Sequence, residues 1–559
     1  MKVLITLLFI ISINLFGYQF SDILPRNTIF YFALEDIDSV KKDLKSLPET
    51  SFYKSDDFKK IKDSVKKIAS ISMYNEENDL SKVDKFFNDL EKVFLNSFSF
   101  SVGLDKFLSP QYSIIIKGDN LDTVFKNAYK ELLDKEIKTG KALVKKQIVN
   151  NVKVDVLTIK KANTKNPGAQ KNKTKEESYT LVYASLGDKF IITSSLDYMS
   201  LLITTIKNKS IPKLSSNLVF KKDKLKYKNS SLYMFLNLKT LIKVFSVEEE
   251  FKLAVEKLSL GNLDSVIAYS LFDKKNKSYK AFLKLVASKG IPKEIKSFFK
   301  QEEIIKIPKF IPENCYSFNA FHFQLSTIYD LLVKLSNKKD LKRMTDLEKT
   351  VGISIKSFLE GFGSNFYLLN FLKAKQDSFV FIFSYAKPEF LVKLIRAIGT
   401  NSVIALSEKD YLDGKIFASS GNFKLLGYGL AYKNNKFIIG NIKVIKEIMQ
   451  KMGGNSGSFY NSNFYRKIQP LNTKKQNVIS VTDNATSMYL TMSDIKKSFN
   501  KDFGNASTKE MMKIVKVLKG LVNHFGSMSI ESWRKYFTYS LLSFYVNNDE
   551  LVLELGEIK

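Results

Sequence analysis

Apolar and polar positions along the chain change period again and again, and each change marks an element. Gly187-Asp188 is followed by Lys189-Phe190-Ile191-Ile192, and Asn434-Asn435 by the same Lys-Phe-Ile-Ile at 436–439. Two residues that tolerate positive φ, between apolar runs, predict tight β-hairpins over Tyr183–Ile192 and Leu430–Ile439. Helical spacing then predicts helices over Leu196–Lys207 and Lys443–Met452. The same spacing predicts helices at Ile37–Leu47, Leu121–Lys138, Ser326–Leu335 and Lys509–His524. Strands are expected at Ser231–Asn237 and Ser487–Thr491. Long hairpins are expected from Val266–Phe272 into Tyr279–Val286, and from Phe537–Val546 into Leu551–Leu555.

Set side by side, these elements form two series in one order. Each series opens on an apolar residue, Pro, a charge and Asn ahead of a strand: Leu24-Pro25-Arg26-Asn27 before Thr28–Phe32, and Ile311-Pro312-Glu313-Asn314 before Cys315–Phe318. The hairpins, the helix after each and the Ser-Asn pairs Ser216-Asn217 and Ser462-Asn463 follow in turn. Shared order at several landmarks predicts an internal duplication. The offset is 287 residues from Pro25 to Pro312 but 247 from Phe190 to Phe437, so the first copy is longer by 40. Part of the excess is 160–178, a polar tract with six lysines and no large apolar anchor, expected as a disordered loop joining two strands.

Hairpin groups with helices between them predict the α+β class: two tandem related domains, each a mainly antiparallel sheet with helices packed on one face. The boundaries follow as a first domain at 18–290, a polar lysine-rich linker at 291–308 and a second domain at 309–559. Long helices among the strands argue against a transmembrane barrel.

Residues 1–17 read as a secretory signal: Lys2, an apolar run Val3–Phe16, then small Gly17. As a helix its 14 residues rise roughly 21 Å, short of the ~30 Å hydrocarbon core, so export with cleavage near Gly17 is expected over a permanent span. No cysteine follows the signal, so a lipid anchor there is not expected. The one cysteine, Cys315, can form no intrachain disulfide and reads as a small buried apolar side chain. The expected location is the periplasm or the cell surface.

An "LPxNT" opening strand, a segment Phe52–Lys59 (FYKSDDFK), and Gly352-Ile353-Ser354 through Phe362-Gly363 together resemble a family of uncharacterised exported bacterial proteins with an LPADT-like opening. The resemblance implies export and the α+β fold, and brings no activity, cofactor or catalytic residue. The first copy departs from the pattern in lacking a clear Leu-Gly-Ile element before Ser97.

Net charge is +31, yet only five of the 88 basic residues are arginine: Arg26, Arg343, Arg396, Arg466 and Arg534. Arginine reads phosphates and bases better than lysine because its planar fork bonds them bidentately, so a nucleic-acid partner is not expected. The charge leaves an anionic envelope component as a partner class; separately, paired domains commonly build a cleft where they join, so a small ligand at the junction of the two copies is the other.

Motifs for catalysis are weak. His322 and His524 have no zinc or triad company. Ser39/Lys42 and Ser64/Lys67 fit Ser-x-x-Lys, a spacing that recurs by chance at this lysine density, and lack the companion Lys-Thr-Gly. Asp36/Asp38 and Glu248–Glu250 do not space out a calcium loop, and Asp36 reads as a helix cap. Gly427-Tyr428-Gly429 reads as strand interior, and Gly453–Gly457 lacks the Lys-Ser/Thr of a phosphate loop. Trp533 is the single tryptophan available as a carbohydrate platform. No catalytic, cofactor-binding or metal residue is therefore assigned. The expected function is a non-catalytic binding or interaction module of the envelope. The alternatives are an envelope hydrolase with an unrecognised site, or a peripheral membrane protein held by lysines.

Overall fold

The computed structural model describes residues 20–558, apart from 35–41, 44–49, 75–79, 82, 86, 89–96, 106–107, 119–120, 161–177, 227–229, 231, 274–277, 300–303, 306, 374–375, 402–405, 420–426, 455–461, 471–474, 503–508 and 547–548. The expected signal, most of the helix at 37–47 with Asp36, Asp38 and Ser39, and nearly all of the lysine-rich tract lie outside the described residues. The protein is α+β, with helices and extensive antiparallel sheet. It forms two compact units: one takes its described residues from 1–245, 264–281 and 499–523, the other from 246–263, 282–498 and 524–559.

In the first unit the strands are β1 (Phe30–Leu34), β2 (Ser97–Leu104), β3 (Pro110–Lys117), β4 (Ala142–Val149), β5 (Val152–Lys160), β6 (Ser178–Leu186), β7 (Lys189–Thr193), β8 (Leu232–Asn237) and β9 (Ser265–Asp273). They lie in the order β4-β5-β6-β7-β3-β2-β1-β8-β9, every neighbour antiparallel. β10 (Ser278–Val286) pairs with β9, giving the hairpin expected there. Helices α1 (Asp56–Tyr74), α2 (Leu121–Lys138), α3 (Leu196–Lys207), α4 (Leu218–Lys226) and α5 (Leu238–Phe245) connect or flank them. The β6–β7 hairpin turns at Gly187, φ 61°, as its sequence requires.

Because successive strand residues point to opposite faces, the two faces can be read from parity. Phe98 and Ile116 share a core with Leu121 and Phe125 of α2. Gly103, of opposite parity to Phe98, lies under Tyr198 of α3, where an added Cβ would come within 2.5 Å of the Tyr198 hydroxyl. Burial pushes that phenol up to about 12. Helices therefore cover both faces, correcting the one-face expectation. Both faces of these strands carry large apolar residues, and each needs a cover.

The second unit holds β11 (Cys315–His322), β12 (Phe362–Lys373), β13 (Gln376–Tyr385), β14 (Leu406–Tyr411), β15 (Gly414–Ser419), β16 (Tyr428–Lys433), β17 (Lys436–Asn441), β18 (Val478–Asp483), β19 (Tyr539–Val546) and β20 (Glu550–Ile558). Their order is β14-β15-β16-β17-β13-β12-β11-β18-β19-β20, again antiparallel throughout. Element for element this is the connectivity of the first unit. Helices α6 (Ser326–Leu335), α7 (Pro388–Asn401), α8 (Ile442–Met452), α9 (Asn463–Ile468) and α10 (Asn484–Asp502) accompany the strands. Ile445 and Met449 of α8 pack with Phe318, Leu369 and Ile438. Leu391 and Ile395 of α7 pack with Phe366, Phe383 and Phe437 on the opposite face.

Three further expectations are corrected. Ser487–Thr491 is helical, inside α10; the strand in that position is β18, which pairs with β11 as β8 pairs with β1. The segment 291–308 is more than a polar connection: Lys293–Phe298 is helical, and Ile305 and Ile307 are buried in the core containing Phe318. Gly427 is a turn residue with φ 62°, immediately before β16 rather than inside a strand.

Candidate functional site

One cleft, about 570 Å³ in volume, is built wholly from residues of the first unit. Its first wall is the opening motif. Pro25 is fixed by a turn in which the Thr28 N–H and hydroxyl both donate to the Pro25 carbonyl, at 3.0 and 2.6 Å. The Arg26 N–H donates to Pro212 O at 3.0 Å, and the Leu214 N–H to Leu24 O at 2.8 Å, tying the motif to the segment after α3. Arg26 and Asn27 are thereby held exposed at the rim while Pro25 is buried.

The second wall is the corner where β8 passes into α5. Asn237 ends β8, 6% exposed, and its side-chain oxygen accepts the Thr240 N–H at 3.1 Å, capping α5. The Leu238 and Lys239 N–H groups donate to the Asp264 carbonyl, at 3.1 and 3.3 Å. The Asp264 side chain is fully buried and ion-paired to Lys239, whose own side chain is 55% exposed. The remaining lining is apolar or amide: Leu201 of α3, Ile211, Pro212, Val219, and Asn217, which caps α4 through Val219 N–H and Phe220 N–H at 3.1 and 3.2 Å.

Charge along this lining is uneven. Asp264 and Lys239 offset one another, and Arg26 has no ion-pair partner among the described residues, so the lining carries one net positive charge. A guanidinium so placed offers a fork of N–H donors to an oxyanion.

The other candidates lie elsewhere. His322 is 1% exposed at the end of β11, its Nδ1 2.8 Å from Asn365 Oδ1. His524 sits in the helix Lys509–Phe525, edge-on to Phe525 at 5.0 Å. Ser64 and Lys67 ride on α1 with Lys67 exposed, and Glu248–Glu250 are exposed around the start of the helix Glu249–Lys257. Cys315 is buried with its thiol pushed up by burial, and its Sγ donates to Ser317 O at 3.2 Å. Trp533 is 2% exposed and stacked on Phe525, so no face of it is open to a sugar. Among the described residues no His, Cys, Asp or Glu group is arranged to hold a metal ion, and no helix is long and apolar enough to cross a membrane.

In the sequence Arg26, Asn27 and Asn217 stand out as landmarks of the repeat, Arg26 also as one of five arginines, and nothing local marks Lys239 or Asp264. Periodicity cannot report that residues 26, 217, 239 and 264 meet. The signal available was the pair of Ser-Asn and Leu-Asn steps ahead of α4 and α5, since Asn is a favoured cap. No family model, curated protein or solved structure matches the chain.

Proposed function

We propose that the protein is an exported, non-catalytic binding module of the bacterial cell envelope, built from two tandem copies of one α+β domain, and that the first copy carries the ligand cleft. The observation that carries the binding reading is the cleft's construction. Its buried polar groups are engaged in capping helices and pairing charges, while its open groups are a guanidinium, a lysine and amides. Such groups hold a ligand through hydrogen bonds and charge; an apolar wall beside a few convergent polar groups is the usual make-up of a small-molecule site. The duplication is supported by the matching strand order and by the shared Pro turn, in which Cys315 N–H donates to Pro312 O as Thr28 N–H does to Pro25 O. Export rests on the three-part pattern of residues 1–17, and the opening motif is that of the uncharacterised exported family it resembles.

Two measurements test this reading. Fractionation of cells carrying a C-terminally tagged chain, with N-terminal sequencing, should find the protein outside the cytoplasm and beginning near Tyr18; a cytoplasmic chain that keeps Met1 overturns export. Incubation of the pure protein with small-molecule extracts of the envelope should raise its melting temperature and leave the extract unchanged. A consumed component, with turnover lost on substitution of one cleft residue, would replace the binding module with an enzyme.

A further inference from the structure

We infer that the cleft of the first unit takes a small organic oxyanion with an apolar body, a carboxylate or phosphate monoester. The head would be held by Arg26 and Lys239 and the body laid against Leu201, Ile211 and Val219. This rests on the binding reading above and adds the chemistry of the ligand.

Three observations set the sign and shape. The single carboxylate in the lining, Asp264, is fully buried and already paired, so a cationic ligand finds no open acidic group there, whereas the Arg26 guanidinium stands at the rim without an ionic partner among the described residues. Lys239 lines the same cleft on a half-exposed side chain whose amino group pairs with Asp264, so of the two cations in the lining one is offset and the other, Arg26, is not. The third wall is aliphatic, and water against it gains by being displaced. A volume of about 570 Å³ falls within the ~300–1,000 Å³ typical of ligand pockets. Lysines scattered over the surface would draw an anion toward the protein from any side; the cleft adds the fork geometry and the apolar wall that a bare patch lacks.

The test is titration calorimetry of the purified chain with four six-carbon probes: hexanoate, hexyl phosphate, hexanol and hexylammonium. Both anions should bind at least about tenfold more tightly than hexanol, since a charge-assisted hydrogen bond contributes ~1.5–3 kcal/mol and 1.4 kcal/mol is a factor of ten. Hexylammonium should bind most weakly. Arg26→Gln, a change on an exposed side chain, should erase the preference for anions, bringing their affinity to that of hexanol for the same variant, and Arg26→Lys should restore part of it. Whichever anion binds more tightly identifies the head group. Equal affinity for hexanol and both anions, or an Arg26→Gln protein that still prefers anions, overturns the oxyanion assignment. If Val219→Trp, folded by circular dichroism, then abolishes the remaining binding, the binding-module reading survives that failure. If no probe binds and Val219→Trp leaves the melting-temperature rise in envelope extract unchanged, the cleft is not a ligand site and both readings fall.

Discussion

The same two rows of the sheet have opposite chemistry in the two units. In the first, one row across four strands reads Val102, Phe30, Leu236, Val266, and the next reads Phe100, Phe32, Met234, Ala268. At the same strand positions the second unit reads Asn370, Ser317, Thr482, Ser540, and then Leu368, Asn319, Ser480, Leu542. Aromatic packing holds the first set, with Phe30 edge-on to Phe100 at 5.9 Å. Hydrogen bonds hold the second: Ser317 Oγ and Thr482 Oγ1 are 2.8 Å apart, Ser480 Oγ donates to Asn319 Oδ1 at 2.5 Å, and Asn319 Nδ2 donates to Leu368 O at 3.0 Å. Strand order, then, does not depend on which kind of side chain fills this face. What both units keep is the fully buried opposite face, Tyr31 and Ala33 in one, Phe318 and Ala320 in the other.

The corner after the eighth strand of each unit differs in the same manner. In the first unit Asn237 caps α5 and leaves the charge pairing to Asp264 and Lys239. In the second, Asp483 does both tasks: it accepts from Ala485 N–H and Thr486 N–H at 3.1 and 3.3 Å, from the Thr486 hydroxyl at 2.9 Å and from Arg534 at 3.2 Å. The backbone bond beneath is common to both, Leu238 N–H to Asp264 O and Asn484 N–H to Thr538 O. A single acidic side chain closes the second corner, whereas in the first the acid is buried one residue ahead of the following strand and pairs with a lysine that lines the cleft.

The largest effect should follow from removing the doubly used side chain. Asp483→Ala should destabilise the protein by about 3 kcal/mol in urea unfolding, since a cap and a charged hydrogen bond go together. A loss below about 1 kcal/mol would show that Arg534 and the cap contribute little. Next comes an exchange between the rows. Phe32→Asn should cost about 2 kcal/mol, because it removes aromatic area and places an amide among Phe100 and Met234. The reverse change, Asn319→Phe, should stay within about 1 kcal/mol, as the half-buried Ser480 hydroxyl can turn to water. Equal costs for the two would mean that the polar row is as specific as the aromatic one. Asn237→Ala, losing only a cap, should cost about 1 kcal/mol, and the ratio to Asp483→Ala sharpens the contrast between corners.

The smallest effect concerns the outer hairpins. Lys126 of α2 meets Asp155 of β5 at 3.0 Å, while Arg396 of α7 grips Glu408 of β14 with two bonds of 2.7 Å and Lys415 adds a third contact. Arg396 and Lys415 hold the Glu408 carboxyl down to about 2, from an ordinary 4.5. The folded state thus binds this proton later than the unfolded chain as pH falls. Its stabilisation is complete above pH 4.5 and is lost as pH falls toward 2. Glu408→Gln should therefore lower stability at pH 7 by a few tenths of a kcal/mol, given its exposure to solvent, and the gap should close by pH 2. A gap that persisted at pH 2 would assign the effect to packing.

Much of the local structure was legible in the sequence. α2, α3 and α6 occupy the predicted residues, and both central hairpins turn where Gly187-Asp188 and Asn434-Asn435 stand. Ser487–Thr491 misled because Met488, Tyr489 and Leu490 suit a strand as well as a helix. The deciding feature was Asp483, whose cap starts α10 one residue after β18 has ended. Propensity is a weak prior, and a cap with a packed partner outweighs it.

By itself the sequence determined what depends on neighbours along the chain: the period of each element, the turns that need positive φ, the caps, and the repeated order of landmarks. Those features are short-range, set by backbone sterics and by hydrogen bonds a few residues long. Only the tertiary structure decided which strands lie side by side, that both sheet faces need helices, and that Arg26, Asn217, Lys239 and Asp264, spread over more than two hundred residues, line one cleft. Such meetings are made by the summed burial of apolar surface from distant segments, and no single local pattern in the chain records them.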